Sequence, residues 1–325
     1  QVFQYLHAHL RSMPRYELDH MAELNKIVKG QLVENEPMAL HSSYGVGGPA
    51  KAYITPKNVN DLSRILQYAH SHGIKTFFVG SGSNILVSDT GIDGLVISPA
   101  KALTDLSIND GKINAESGVM LGRLVRESIK RNLTGFEGLG GVPGTLGGAI
   151  MMNAGAFGHE ISNSLVSVTV MQMDGTINTL LKNDITFLYR YSSIDSKSFI
   201  VSALFDLEKS DFINIQNKRK KASEIRKSSQ PLKYRSAGSV FKNPKPNVAA
   251  GYLIDQAGLK GLRQGDAEIS EKHANFFINH GKATATDIST LIQIARKEVK
   301  EKFNIMLELE IKTFGFDENE LLPNG

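Results

Sequence analysis

At 325 residues the chain is too long for one small core, and two or three modest domains are expected. Its 41% hydrophobic and 22% charged residues describe an ordinary globular protein, while a net charge of +4 and a pI near 9.0 fit an anionic ligand but are too thin an excess to imply a nucleic-acid surface, and phosphorylated small molecules fit equally well. With no cysteine, disulfides, thiolate metal sites and thiol nucleophiles are excluded, so redox chemistry would require a bound cofactor.

The opening stretch, Gln1 to Leu24, mixes histidine, arginine and acids where a signal peptide would have an apolar core, and no run approaches the roughly 18 apolar residues of a membrane span. A cytoplasmic protein is expected. Because the chain starts with Gln1 and not methionine, a trimmed or processed start is expected too, and residues 1–35 receive no function.

Asn58 to His72 reads as a helix: Leu62, Ile65, Leu66 and Ala69 repeat at helical spacing and Gly73 follows as a stop. Lys75 to Val79 reads as a strand running into the turn Gly80-Ser81-Gly82-Ser83-Asn84, with Ile85–Val87 and Leu95–Ile97 as further short strands. Glycine and serine directly after a strand can aim several backbone N–H groups at a phosphate. The turn is neither a dinucleotide fingerprint, since Ile85 stands where a third glycine would be, nor a P-loop, since no Lys-Ser or Lys-Thr pair follows. A plain tight turn is the alternative.

Leu121, Leu124, Val125 and Ile129 mark a second helix, ending near Asn132. Beyond it, Gly140 to Gly148 holds five glycines in nine positions, with Asn153-Ala154-Gly155 close behind. A loop so poor in side chains costs folding entropy, which a flat or charged ligand lying on the backbone would explain, as would a sharp crossover between packed elements. Two such cradles together suit a dinucleotide with a central diphosphate, and a flavin would supply the missing redox centre.

From Leu165 the pattern turns to strands, with a hairpin turn at Asp174-Gly175 and Phe199, Val201, Ala203, Phe205 and Leu207 alternating on one face. A composition shift follows: Lys218 to Arg235 carries eight basic residues against one acid, Glu224, so a domain boundary is placed near Ser210. The run Lys218 to Lys221 reads as a solvated helix face. A last helix, Asp287 to Phe303, is capped by Asn304, and a last strand, Ile305 to Lys312, puts Met306, Glu308, Glu310 and Lys312 on one face. That alternation does not choose between Glu308 and Glu310. There is no internal repeat or low-complexity segment.

Taken in order, Ser43 to Ala50, Gly80 to Val87, Gly138 to Gly158, Tyr189-Arg190-Tyr191-Ser192, Gly238 to Pro244, Ser270 to Phe276 and Leu309-Glu310-Ile311 resemble the segments of the UDP-N-acetylenolpyruvoylglucosamine reductase (MurB) family, from about Glu36 to Gly315. The resemblance implies an α+β protein with a vanillyl-alcohol-oxidase-type FAD-binding fold and a C-terminal α+β substrate-binding domain. Its parts would be an extension at 1–35, FAD subdomains at 36–103 and 104–209, a substrate domain at 210–315 and a tail at 316–325. The implied reaction is NADPH-dependent reduction of the enolpyruvyl ether of UDP-N-acetylglucosamine to UDP-N-acetylmuramate, a step of peptidoglycan precursor synthesis, by hydride transfer through flavin N5.

The resemblance also implies residue roles. Arg190 would hold the substrate carboxylate on which negative charge develops, Ser239 would deliver a proton to the neighbouring carbon, and Glu310 would stabilise the enolic intermediate in its protonated form. FAD contacts would come from Tyr44, Val46, Gly80, Ser81, Gly82, Ser83, Asn84, Gly141, Val142, Pro143, Gly144, Thr145, Gly147, Gly148, Asn153 and Gly155. Substrate and nicotinamide-nucleotide contacts would come from Tyr189, Lys242, Asn243, Gln256, His273 and Asn275. No metal is expected. The partners would be the UDP-sugar and NADPH, without nucleic acid or membrane, acting on a monomer.

Two departures from the family pattern stand out. Ser42 occupies the usual place of a threonine, which leaves open whether Ser42 or Ser43 meets the flavin. Only 48 residues lie between Arg190 and Ser239, too few for the tyrosine-bearing lid of the longer subfamily, so the chain falls with the shorter one. A related flavin oxidase and a noncatalytic nucleotide-binding protein are the alternative readings.

Overall fold

The computed structural model describes residues 15–317 and 319–322. A helix, α1 (Arg15–Ile27), leads into β1 (Gln31–Pro37), which pairs antiparallel with β2 (Pro49–Thr55). Two further strands, β3 (Thr76–Phe78) and β5 (Ile92–Ile97), run parallel to β2 and complete a sheet in the order β1-β2-β5-β3; between them β4 (Ile85–Val87) stands outside it. The first subdomain therefore starts earlier than residue 36, which falls inside β1. Residues 1–14 lie outside the described residues.

Covering this sheet is α2 (Val59–Ser71), whose capping Asn58 accepts the Asp61 N–H at 3.0 Å and whose Leu62, Ile65, Leu66 and Ala69 are fully buried against Leu24, Ile54, Leu95 and Ile97. Asp61 also accepts N–H bonds from Lys29, Gly30 and Lys57, tying three segments together.

A second sheet, all antiparallel, contains β6 (Leu106–Asn109), β7 (Lys112–Glu116), β8 (Leu165–Met171), β9 (Ile177–Leu181) and β10 (Phe199–Asp206) in the order β9-β8-β10-β7-β6. It packs on α3 (Leu121–Ile129) and α4 (Leu146–Met151) through one apolar cluster that includes Leu124, Ile150, Val168 and Phe205. The five β10-region residues expected on one face are all buried.

The third region begins with α5 (Phe212–Ser229), which buries only Ile215 and Ala222, in keeping with its basic run. It continues with α6 (Ala250–Gln256), a small sheet of β11 (Arg263–Gln264), β12 (Ala267–Ile269) and β13 (Phe277–Asn279), and α7 (Ala285–Phe303). A capping box between Thr284 and Asp287 starts α7, and Asn304 ends it in the left-handed region at φ 56°. Asp89 of the first region accepts the Ala285 and Thr286 N–H groups at 2.9 Å, which docks α7 onto that region. The expected tail is also part of this core, since Leu321 is buried there.

The expected strand Ile305–Lys312 is not formed as such. Residues 305–311 run extended beside 240–242, with the Lys242 N–H on the Glu308 carbonyl and the Glu310 N–H on the Val240 carbonyl, both at 2.8 Å. The regular strand, β14 (Lys312–Phe314), comes later and pairs parallel with β4. The alternation that suggested a strand reflects one side facing the core, with Leu307 and Ile311 buried, and the other facing solvent at Met306; an irregular extended segment satisfies it equally. This crossing carries Glu310 from the third region to the first glycine turn.

Candidate active site

The first turn, Gly80–Asn84, bends between β3 and β4 with no room for side chains at two of its glycines. A Cβ at Gly80 would stand 2.2 Å from Thr145 Oγ1, and one at Gly82, where φ is +69°, would stand 1.8 Å from the His41 carbonyl oxygen. The second turn is part loop and part helix: Gly140–Gly144 is irregular, Thr145 is the cap residue, and Gly147 and Gly148 lie in the first turn of α4 instead of a loop. The two turns touch, with Ser83 Oγ donating to the Pro143 carbonyl at 3.3 Å.

Together they line a cleft of about 1750 Å³, well beyond the roughly 300–1,000 Å³ of an ordinary small-ligand pocket. Gly80 to Asn84, Gly141 to Thr145, Gly147, Gly148 and Gly155 all border it, as does Ser43. Ser42 is buried and spends its hydroxyl on the Val46 carbonyl at 2.8 Å, so Ser43 is the member of that pair that faces the cleft. The buried hydroxyls of Ser81, Ser117 and Thr145, and Nε of Arg226, have no hydrogen-bond partner among the described residues, and all four residues line this same space. Unpartnered buried polar groups are rare in folded proteins. A ligand rich in acceptor oxygens, as FAD is, fits the set.

Arg190, Ser239 and Glu310 reach the cleft from three separate segments. Arg190 occupies a two-residue turn between the paired Leu188 and Tyr191, in the left-handed region at φ 56°, a conformation that a non-glycine residue holds at a cost and that clusters at functional sites. Asn153 supports this hairpin by donating Nδ2 to the Leu188 carbonyl at 3.1 Å. The Arg190 guanidinium lies 4.9 Å from the Tyr189 ring centroid and gives its Nε to Glu310 at 2.6 Å.

Glu310 is 13% exposed, whereas the Glu308 side chain is 72% exposed and pairs with Lys242. Of the two carboxylates that alternation could not separate, only Glu310 borders the cleft. Burial pushes its carboxyl above the ordinary range, although Arg190 and Lys242 pull the other way. Asn84 adds a link by donating Nδ2 to the Glu310 carbonyl at 3.1 Å. Ser239 sits in the loop clamped by Asn275: Val240 N–H bonds to the Asn275 carbonyl, Phe241 N–H to Oδ1 at 2.9 Å, and Nδ2 to the Phe241 carbonyl at 2.8 Å.

Several expected contacts lie elsewhere. Tyr44 and Val46 are buried in the core of the third region, and Asn153 is buried behind the hairpin, so none of the three borders the cleft. None of the expected substrate contacts does either. Asn243 spends Oδ1 on the Ala250 N–H, Gln256 is exposed at the end of α6, and Tyr189 is half exposed with its hydroxyl 3.5 Å from the Asn243 nitrogen. Desolvation lowers the His273 pKa, and its Nδ1 accepts the Asn275 N–H at 3.3 Å. Conversely, Ser117 and Arg226 border the cleft without having been singled out. Ser117 is one serine after a strand, and Arg226 is hidden within a basic run.

Comparison with known proteins covers most of the chain. Residues 230–314 match the family described as UDP-N-acetylenolpyruvoylglucosamine reductase, C-terminal domain, and residues 50–180 match an FAD binding domain. The UDP-N-acetylenolpyruvoylglucosamine reductase of Caldanaerobacter subterraneus subsp. tengcongensis is 42% identical over 295 residues, covering 90% of this chain and 97% of that protein. Its counterpart from Clostridium tetani is 43% identical over 284 residues, covering 87% and 92%. The crystal structure of the Thermus caldophilus reductase superimposes with a TM-score of 0.75 at 34% identity, over 88% of this chain and 99% of that one.

Proposed function

The chain belongs to the UDP-N-acetylenolpyruvoylglucosamine reductase family, and on that premise we propose how its cleft divides the work. It is an FAD-dependent UDP-N-acetylmuramate dehydrogenase, reducing the enolpyruvyl ether of UDP-N-acetylglucosamine with NADPH in peptidoglycan precursor synthesis. Its fold is the α+β FAD-binding arrangement with a C-terminal substrate domain. We assign the chain from β1 to about residue 103 and residues 104–209 to the two halves of the FAD cradle, and the chain from 210 through Leu321 to the substrate domain, a division supported by the three separate sheets and the burial of Leu321.

FAD, when bound, relays hydride from NADPH to the terminal enolpyruvyl carbon. The glycine turns at 80–84 and 141–148 hold it, with the Ser81 and Thr145 hydroxyls available to its oxygens. Arg190 has one nitrogen on Glu310 and its terminal nitrogens open to the substrate carboxylate, where they balance the charge that develops as hydride arrives. Glu310, whose carboxyl burial pushes above its ordinary range, is placed to stabilise the enolic oxygen in its protonated form. Ser239, whose hydroxyl bonds to no other described residue, donates its proton to the carbon next to the carboxylate and completes the lactyl ether.

The observation that carries these roles is convergence: a left-handed arginine, a buried glutamate and a clamped serine, far apart in sequence, border the cleft that both glycine turns line. We place the enzyme in the cytoplasm, acting as a monomer on its UDP-sugar and NADPH; among the described residues no helix is long and apolar enough to cross a membrane. Anaerobic mixing tests the reading. NADPH bleaches the bound flavin and the enolpyruvyl sugar restores its colour; reoxidation by oxygen alone, with indifference to the sugar, points to an oxidase.

A further inference from the structure

Of the four buried polar atoms around the cleft that have no partner among the described residues, Arg226 Nε is the one that comes from the third region. It stands in the last turn of α5, a helix whose other basic residues, Lys218 to Lys221 and Lys227, are exposed. Arg226 departs from that pattern. One terminal nitrogen donates to the Gly141 carbonyl, its Nε is buried without a partner, and no carboxylate pairs with it among the described residues. Burial pushes its pKa down.

The second glycine turn is shaped to receive it. Gly141 has φ +86°, a conformation that favours glycine, and its carbonyl receives a terminal nitrogen of the guanidinium. The Lys218 ammonium, 4.0 Å from the buried Glu137 carboxylate, fixes the same helix against the start of this loop. A buried guanidinium N–H facing a polar cleft calls for an acceptor oxygen, and an anionic one answers its charge as well.

We propose that Arg226 is a cofactor ligand contributed by the third region, donating its Nε–H to an acceptor oxygen of bound FAD while a terminal nitrogen holds the Gly141 carbonyl. The proposal rests on reading the cleft as the FAD site. It also makes the cofactor a tie between the flavin-binding half and α5. Either a diphosphate oxygen or a flavin carbonyl supplies the required chemistry.

The test uses Arg226→Met and Arg226→Lys proteins. FAD dissociation constants are measured by titrating apoprotein and following flavin fluorescence, and thermal unfolding is recorded for apo and FAD-bound forms. Loss of a charge-assisted hydrogen bond is expected to raise the Arg226→Met dissociation constant roughly 10- to 100-fold. The apo melting temperature stays near that of the unmodified protein while the gain on adding FAD shrinks, and Arg226→Lys falls between. FMN titration then locates the oxygen: weakening toward FAD alone places it on the adenylate side of the diphosphate, and equal weakening toward both places it on the flavin or its own phosphate. An FAD affinity within about twofold of the unmodified protein, or equal destabilisation of apo and bound forms, overturns the assignment and leaves Arg226 a structural clamp on Gly141. Flavin binding and NADPH bleaching by the unmodified protein, recorded in parallel, test the site reading separately.

Discussion

Replacing Asn275 by alanine separates a structural clamp from a substrate ligand. In the structure both side-chain atoms are committed to one residue, Oδ1 receiving the Phe241 N–H at 2.9 Å and Nδ2 donating to the Phe241 carbonyl at 2.8 Å. Asn275 is 3% exposed and Phe241 0%, so water cannot replace either bond. Leaving two buried backbone groups unpaired at about 1–3 kcal/mol each predicts a loss of about 2–6 kcal/mol. Because the clamped loop carries Ser239, sugar-dependent turnover falls as well. Urea unfolding of the apoprotein supplies the stability, and steady-state kinetics supply the KM for the sugar. A variant that unfolds within about 0.5 kcal/mol of the unmodified protein but shows a raised sugar KM would refute the clamp and restore Asn275 as a substrate contact.

Glu310→Gln preserves shape but removes the buried acid. NADPH bleaching is expected to survive while sugar-dependent reoxidation drops roughly 10²- to 10⁴-fold. In the unmodified enzyme reoxidation should decline as pH rises through the elevated Glu310 pKa, and the same decline persisting in the glutamine variant would remove Glu310 from its role. For Gly82→Ala, the 1.8 Å approach to the His41 carbonyl and the φ of +69° predict more than about 1 kcal/mol of lost stability together with weaker FAD retention; a flavin-replete, equally stable variant would contradict the geometry. Asp61, although burial pushes its carboxyl up, is held below the ordinary range by the Lys57, Lys29 and Gly30 N–H groups and Arg64. Its contribution is therefore present above the unfolded carboxylate pKa and lost as pH falls through the lower folded value. Asp61→Asn should show a flatter urea midpoint across that acid window, and an unchanged slope would argue against the linkage.

The parts of this fold legible in the sequence are those set by local chemistry. The α2 stripe from Leu62 to Ala69, the Asn304 cap and the glycine turns each follow from spacing or backbone freedom within a dozen residues. Residues 305–311 misled because alternation reports two environments and not a hydrogen-bonding partner; their neighbour is the loop at 240–242 and not a sheet. The convergence of Arg190, Ser239 and Glu310 was accessible through family resemblance, since no spacing rule links residues so far apart. Arg226 and Ser117 escaped because their significance lies in one buried polar atom each, Nε and Oγ, left without a partner among the described residues, a property of the folded surroundings that neither residue announces in sequence. Tyr44 and Asn275 sit within matching motifs yet face a core or a backbone, which only side-chain direction reveals.

The division of labour between the two halves is tested most directly by anaerobic single-turnover mixing of Ser239→Ala protein loaded with FAD. The account predicts flavin bleaching by NADPH close to that of the unmodified enzyme, followed by reoxidation with the enolpyruvyl sugar slowed by roughly 10² or more. Reoxidation at the unmodified rate would contradict it.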